Sequence, residues 1–151
     1  MIDQNIKIKT IHGAPSKEVL DDLLMLYTLV FEDAIVDFFM ERISTKEDVV
    51  SIIAYKNEVP VGFKIGYRYN ESTFYSWVGG VLLNHRKKGI AKKLAASQES
   101  IAKEKRFTRL RTKSMNRFKP MLILNLKNGF DIVQVYINEK GQQKIVFEKE
   151  I

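Results

Sequence analysis

Val81-Leu82-Leu83-Asn84-His85-Arg86-Lys87-Lys88-Gly89-Ile90-Ala91 joins two kinds of hydrophobic period. Before it, residues 74–83 form an apolar, β-rich run with Gly79-Gly80 inside. After it the period becomes helical. Ile90, Leu94 and Ile101 make one stripe, and Ala91, Ala95, Gln98 and Ala102 make an adjacent one. A strand therefore passes through a basic, glycine-containing loop into a long helix. A helix N-terminus presents unpaired N–H groups and the positive end of the dipole, which suits a phosphate. Gly89 allows a tight turn and close approach of backbone to ligand. Ala91 keeps the next position small, and Arg86, Lys87 and Lys88 add charge at the rim. The loop matches neither a Walker A sequence nor a Rossmann fingerprint.

Outward from this loop, the remaining elements follow from periodicity. Ile6, Ile8 and Ile11, interleaved with Lys7 and Lys9, predict a half-buried strand. Ser16 is the expected N-cap of a helix carrying Val19, Leu20, Leu23, Leu24, Tyr27, Val30 and Phe31. Residues 37–43 predict a second, shorter helix, and residues 49–55 a buried strand. Val61, Phe63, Ile65, Tyr67 and Tyr69 alternate, which predicts a strand with all five on one face. Beyond the long helix, residues 108–114 read as a strand and 120–128 as a helix, with Pro120 at its start and Gly129 after its end. Residues 132–137 and 144–148 are the last two strands. The order is β-α-α-β-β-β-α-β-α-β-β, an α+β fold in a single domain over residues 1–151, with no internal repeat or linker.

Composition narrows the class. Of 151 residues, 45% are apolar and 28% charged, which excludes a disordered or low-complexity chain. The longest apolar run, residues 23–31 allowing Thr28, falls far short of the roughly 20 residues a membrane span needs. The opening Met1-Ile2-Asp3-Gln4-Asn5 has no cationic or apolar leader signature, so no signal peptide is expected. The absence of cysteine excludes disulfides, a thiolate metal site and a cysteine nucleophile, and fits a cytoplasmic location. The net charge of +7 is split into two poles. Residues 84–119 hold thirteen Lys and Arg against two acids, whereas residues 18–48 hold nine acids against Arg42 and Lys46.

Two motifs carry a family resemblance. Arg86-Lys87-Lys88-Gly89-Ile90-Ala91 fits the R/Q-x-x-G-x-G/A pyrophosphate loop of the GNAT N-acetyltransferases. Met121-Leu122-Ile123-Leu124-Asn125-Leu126-Lys127-Asn128-Gly129-Phe130 fits that family's M-L-x-x-N-x-K-x-G-F ending. The chain resembles the family from Ile6 to Phe147. The resemblance implies a GNAT-like, mixed but mostly antiparallel sheet flanked by helices. It implies acetyl-CoA as co-substrate and no metal. Pantetheine contacts would come from Val81, Leu82 and Leu83, pyrophosphate contacts from Arg86, Lys87, Lys88, Gly89, Ile90 and Ala91, and further cofactor contacts from Asn116 and Asn125. Gly79-Gly80 would mark a bulge or a close backbone approach. An N–H near Val81 or Leu82 would polarise the thioester carbonyl. Asn125 stands where the family often has a tyrosine proton donor, and an amide cannot act as an acid at neutral pH.

Acetyl transfer to an amine needs the neutral amine, so a base or a water chain must take its proton. Without cysteine, the amine is expected to attack the thioester directly in a ternary complex. Where some family members place a strand glutamate, spacing from Arg86 puts Tyr75, and residues 74–83 contain no carboxylate. Tyr75 acting through water, Glu32 and Asp33 are the catalytic candidates. Glu32, Asp33, Asp37 and Trp77 are the acceptor-binding candidates, and His85 is placed at the phosphate rim. The acidic pole is expected to form a cleft that attracts a cationic amine. The expected partner is a small-molecule or peptide amine, with no membrane partner and with a homodimer possible. Two other readings stay open: a non-catalytic CoA-binding GNAT-like protein, and a nucleic-acid-binding module using residues 84–119. The second lacks aromatic interleaving and any RRM, KH or helix-turn-helix signature, so nucleic acid is not the expected partner.

Overall fold

Ser16 begins the first helix as its sequence position predicts, its hydroxyl accepting a hydrogen bond from the Val19 N–H at 3.3 Å. The computed structural model describes residues 5–151; residues 1–4, within the stretch read for a leader, lie outside the described residues. The elements are β1 (Ile6–His12), α1 (Lys17–Val30), α2 (Val36–Thr45), β2 (Val50–Lys56), β3 (Val59–Arg68), β4 (Thr73–Val81), α3 (Ile90–Glu104), β5 (Arg109–Ser114), α4 (Lys119–Lys127), β6 (Asp131–Ile137) and β7 (Gln143–Glu150). The predicted order holds throughout. The strands form one seven-stranded sheet, β1-β2-β3-β4-β5-β7-β6. Every neighbouring pair is antiparallel except β4–β5, which is parallel.

Two apolar clusters cover the two faces. Leu23, Leu26 and Tyr27 of α1 and Phe39 and Ile43 of α2 pack on Phe63, Ile65, Tyr67 and Tyr75. Ile90, Leu94, Ile101 and Ala102 of α3 pack on Val50, Ile52, Ala54 and Phe74 on the opposite face. Val61 departs from the alternation read in the sequence. Ala54 pairs with Gly62 and Tyr55 with Pro60, which leaves Val61 as an extra residue. The bulge turns Val61 away from Phe63 and into the α3 cluster.

A second irregularity lies in β4. Ile65 pairs with Val78 and Gly66 with Ser76, so the extra residue is Trp77 rather than Gly79 or Gly80. The glycines serve close approach instead. A Cβ on Gly79 would stand 2.9 Å from the Phe63 carbonyl oxygen, and one on Gly80 would stand 2.5 Å from a Val30 methyl of α1.

Lys64 is a charged group inside this framework. It pairs with Ile52, whose side chain belongs to the α3 cluster, and its aliphatic stem lies against Gly79. Burial lowers its ammonium from 10.5 to about 8. The folded state therefore binds the proton more weakly than the unfolded chain. Stability from this group is present above pH 10.5 and is lost as pH falls through about 8. At one pKa unit per 1.36 kcal/mol, the full linkage is about 3 kcal/mol. Lys64→Met is expected to raise Tm at pH 7, with a gain that shrinks by pH 10. Thermal unfolding of both proteins at the two pH values checks this, and a loss of stability at pH 7 contradicts it.

Candidate functional site

The parallel β4–β5 ladder is only four residues long, from Thr73–Arg109 to Ser76–Thr112. The Thr112 hydroxyl donates to the Ser76 carbonyl at 2.9 Å at its last rung. Beyond it, β4 continues through Trp77 to Val81 with no partner on the β5 side. The bulge at Trp77 begins where the ladder stops, so the two strands diverge and leave a split in the sheet. Along that edge the Leu82 N–H donates to the Val61 carbonyl at 2.8 Å, which commits it to β3. Leu82 is thus not the free donor the sequence reading allowed. Strand alternation directs the neighbouring Val81 the other way, and its carbonyl accepts from Arg86 Nε at 2.9 Å.

The loop after β4 makes a short 3₁₀ turn, Leu83–His85. Lys87 (φ 62°) and Gly89 (φ 83°) then take left-handed conformations. Such alternation points successive N–H groups into one concavity. Gly89 caps α3 without any side-chain hydrogen bond, and its carbonyl accepts the Lys93 N–H at 3.0 Å. The N–H groups of the first turn therefore have no intrahelical acceptor. Ile90 is buried and anchors the helix start, while Arg86, Lys87, Lys88 and Ala91 are exposed beside it. His85 is half-buried with an unpartnered Nδ1. Asn125 is the one buried residue of α4, and the Asn116 amide donates to Gln143 Oε1 at 3.0 Å.

On the α2 face, beside the split, lies a cavity of about 310 Å³. Four cations, Arg42, Lys46, Arg68 and Lys113, and three tyrosines, Tyr67, Tyr69 and Tyr75, line it. Lys113 lies one residue beyond the last ladder rung, and Tyr75 one before it. Arg42 donates to the Tyr67 hydroxyl at 3.1 Å, with its guanidinium 4.6 Å from the Phe38 ring centroid and 5.5 Å from that of Trp77. Lys46 lies 5.4 Å from the Tyr67 centroid, and Lys113 donates to the Tyr136 hydroxyl at 3.0 Å. Among the described residues Arg68 alone of the four has a carboxylate partner, Asp48 at 2.7 Å. Burial, chiefly, and the nearby Tyr67 push the Tyr75 phenol well above its ordinary range, against the opposing pull of Arg42 and Arg111.

The charge of this cavity is opposite to the net charge of the acidic pole beside it. The acidic pole contributes its only two bases, Arg42 and Lys46, and none of its nine acids. Glu32, Asp33 and Asp37 are all exposed on or beside the α1–α2 connection. Asp33 pairs with Arg117 at 3.3 Å, tying that connection to the segment after β5. Glu47 and Glu71 line an adjoining depression that shares Lys46, Arg68 and Tyr69 with the cavity. Of the predicted acceptor-side residues, the structure brings Tyr75 into the cavity and sets Trp77 behind Arg42. Sequence reading missed Arg42, Lys46, Tyr67 and Lys113. A signal existed: Arg42 and Lys46 are four apart, and Arg109, Arg111 and Lys113 recur at a strand's period of two. Among the described residues no group of three or more His, Asp or Glu is arranged to hold a metal, and no helix is long and apolar enough to cross a membrane.

The model of the acetyltransferase (GNAT) family matches residues 17–120. The chain belongs to the GNAT acetyltransferase family. Among curated proteins none matches. Solved structures share the GNAT fold over almost the whole chain. A GNAT family acetyltransferase from Elizabethkingia anophelis, solved with acetyl-CoA bound, is 20% identical, with a TM-score of 0.75 over 99% of this chain and 100% of its own. Naa50 of Arabidopsis thaliana, in complex with the bisubstrate analogue CoA-Ac-MVNAL, is 20% identical, with a TM-score of 0.77 over 97% and 99%. The PaiA N-acetyltransferase of Thermoplasma acidophilum, in complex with coenzyme A, is 16% identical, with a TM-score of 0.72 over 97% and 99%.

Proposed function

We propose that this GNAT protein transfers an acetyl group from acetyl-CoA directly to a primary amine of a small-molecule or peptide acceptor. The observation that carries the reading is the divergence of β4 from β5 at the Trp77 bulge, with an unpaired strand edge running up to the open N-terminus of α3. The pyrophosphate would rest on the N–H groups around Gly89, with Arg86, Lys87 and Lys88 at the rim. The pantetheine arm would extend β4 at Val81 and Leu83, displacing the Arg86 side chain from the Val81 carbonyl. Asn125, the inward-facing residue of α4, would close the cofactor site, and Asn116 lies at its margin. Acetyl-CoA-bound and CoA-bound relatives of this fold support the cofactor.

The acceptor would approach from the α2 face, through the cavity that holds Tyr75. Positive groups around a bound ammonium disfavour its charged form. Arg42, Lys46 and Lys113 would therefore shift the acceptor towards the neutral, attacking amine without a carboxylate beside it, and the released proton would leave through cavity water. Attack forms the N–C bond as the thioester C–S bond breaks. Tyr75, held neutral by burial, is a hydrogen-bond donor at this point and not a base. Glu32 and Asp33, exposed and outside the cavity, are left without a direct role in proton transfer.

Release of CoA from acetyl-CoA over a panel of amines tests the function, and no release above the hydrolysis rate with any amine rejects it. In the same assay Tyr75→Phe is expected to lower kcat/KM by at least tenfold, with an unchanged pH profile between 6 and 9, whereas Glu32→Gln and Asp33→Asn stay near wild type. A profile whose acidic limb moves in either carboxylate variant would return the proton path to the α1–α2 connection.

A further inference from the structure

Arg42 and Lys46 line the cavity wall, and among the described residues their side chains meet neutral partners only. Both converge on Tyr67, one by a 3.1 Å hydrogen bond to its hydroxyl and the other 5.4 Å from its ring centroid. The Arg42 guanidinium is also held against Phe38 and Trp77. Among the described residues neither forms an ion pair, and Lys113 across the cavity is likewise bonded only to a tyrosine. Other cations of the sheet, Arg68 of this cavity among them, do have carboxylate partners. Arg111 meets Glu148 at 2.8 Å, Lys149 meets Glu99 at 2.6 Å, and Arg68 meets Asp48. A half-buried guanidinium, held rigid and left without an anion, is a binding group with its counter-charge missing.

We infer that the acceptor amine itself carries an anionic oxygen group, a carboxylate or a phosphate, which Arg42 and Lys46 bind while the amine faces the β4–β5 split. The inference rests on the acetyl-transfer reading for the amine's role, but its anion-binding part stands on the cavity alone. With the anion at Arg42 and Lys46, Lys113 is left beside the split to disfavour the ammonium form. A cationic diamine would meet only like charge on this wall, so the chemistry selects against polyamines as well as for anionic amines.

Trp77 is the only tryptophan, and Arg42 lies over its ring, so tryptophan fluorescence reports on this wall directly. Titrations would compare β-alanine with β-alaninamide, phosphoethanolamine with ethanolamine, and either anion with 1,3-diaminopropane, in the presence of CoA. The anionic member of at least one pair is expected to bind at least tenfold more tightly, and the pair that does so identifies carboxylate or phosphate. Arg42→Gln and Lys46→Met should each erase that preference, while calorimetric affinity for CoA stays within threefold of wild type. Equal binding of anionic and neutral members, tighter binding of the diamine, or a preference that survives in Arg42→Gln overturns the inference. Turnover of the same compounds is read separately. If an anionic amine binds at Arg42 but no amine is acetylated, the anion site stands and the transferase reading falls. If diamines are the better acetyl acceptors, the transferase reading stands and the anion site falls.

Discussion

Gly89→Glu is expected to abolish detectable acetyl-CoA binding, a loss of at least a hundredfold by calorimetry. Three effects add. Gly89 has φ 83°, a left-handed conformation that costs a side-chain-bearing residue roughly 1–3 kcal/mol. A glutamate there would put its side chain where the first-turn N–H groups face, and its carboxylate would compete with the pyrophosphate for them. Its charge would also repel the ligand at the positive end of α3. Gly89→Ala separates the effects, since it keeps the conformational cost without the charge or most of the bulk. It should bind more weakly than wild type and more tightly than Gly89→Glu. Equal affinities for wild type and Gly89→Glu would remove the loop from the cofactor site.

Gly66→Ala is expected to be the most destabilising small substitution in the sheet. A Cβ at this position would stand 2.7 Å from the Tyr75 carbonyl oxygen and 2.9 Å from Gln98 Nε2, and would press on the Phe74 ring. The first of these is a conflict with backbone, which no rotamer change relieves. Gly66 faces Ser76 across the β3–β4 ladder, immediately beside the Trp77 bulge. The strain would be released by moving β4, the strand whose path creates the split. Overpacking of this kind costs roughly 3 kcal/mol, and in a chain of this size that corresponds to a Tm lower by about 6–12 °C. Thermal unfolding measures it. A Tm within 2 °C of wild type would show that β4 accommodates the methyl group freely.

The order of elements, the Ser16 cap and the strand–loop–helix around Gly89 were legible from the residues alone. These are local matters. Hydrophobic period distinguishes strand from helix, and a cap or a left-handed glycine acts within a few residues of itself. The two motifs at residues 86–91 and 121–130 are contiguous, so they too were legible in one pass. Tertiary structure decided everything that depends on which way a side chain points after two distant segments meet. The alternation of Val61 with Phe63 reads as one face until a single extra residue opposite β2 turns Val61 over. Gly79-Gly80 marks the crowded backbone, but the bulge falls at Trp77, because register is set by pairing with β3 and not by glycine content. The sign of the cavity beside the split is the clearest case. Residues 18–48 are acidic as a segment, yet half-buried Arg42 on α2 and Lys46 just past its end are the residues of that segment that line the cavity, while Glu32, Asp33 and Asp37 lie outside it. Net charge sums over every face of an element, whereas a ligand meets only the face that packing has turned towards it, and that face is fixed by long-range contacts that composition does not contain.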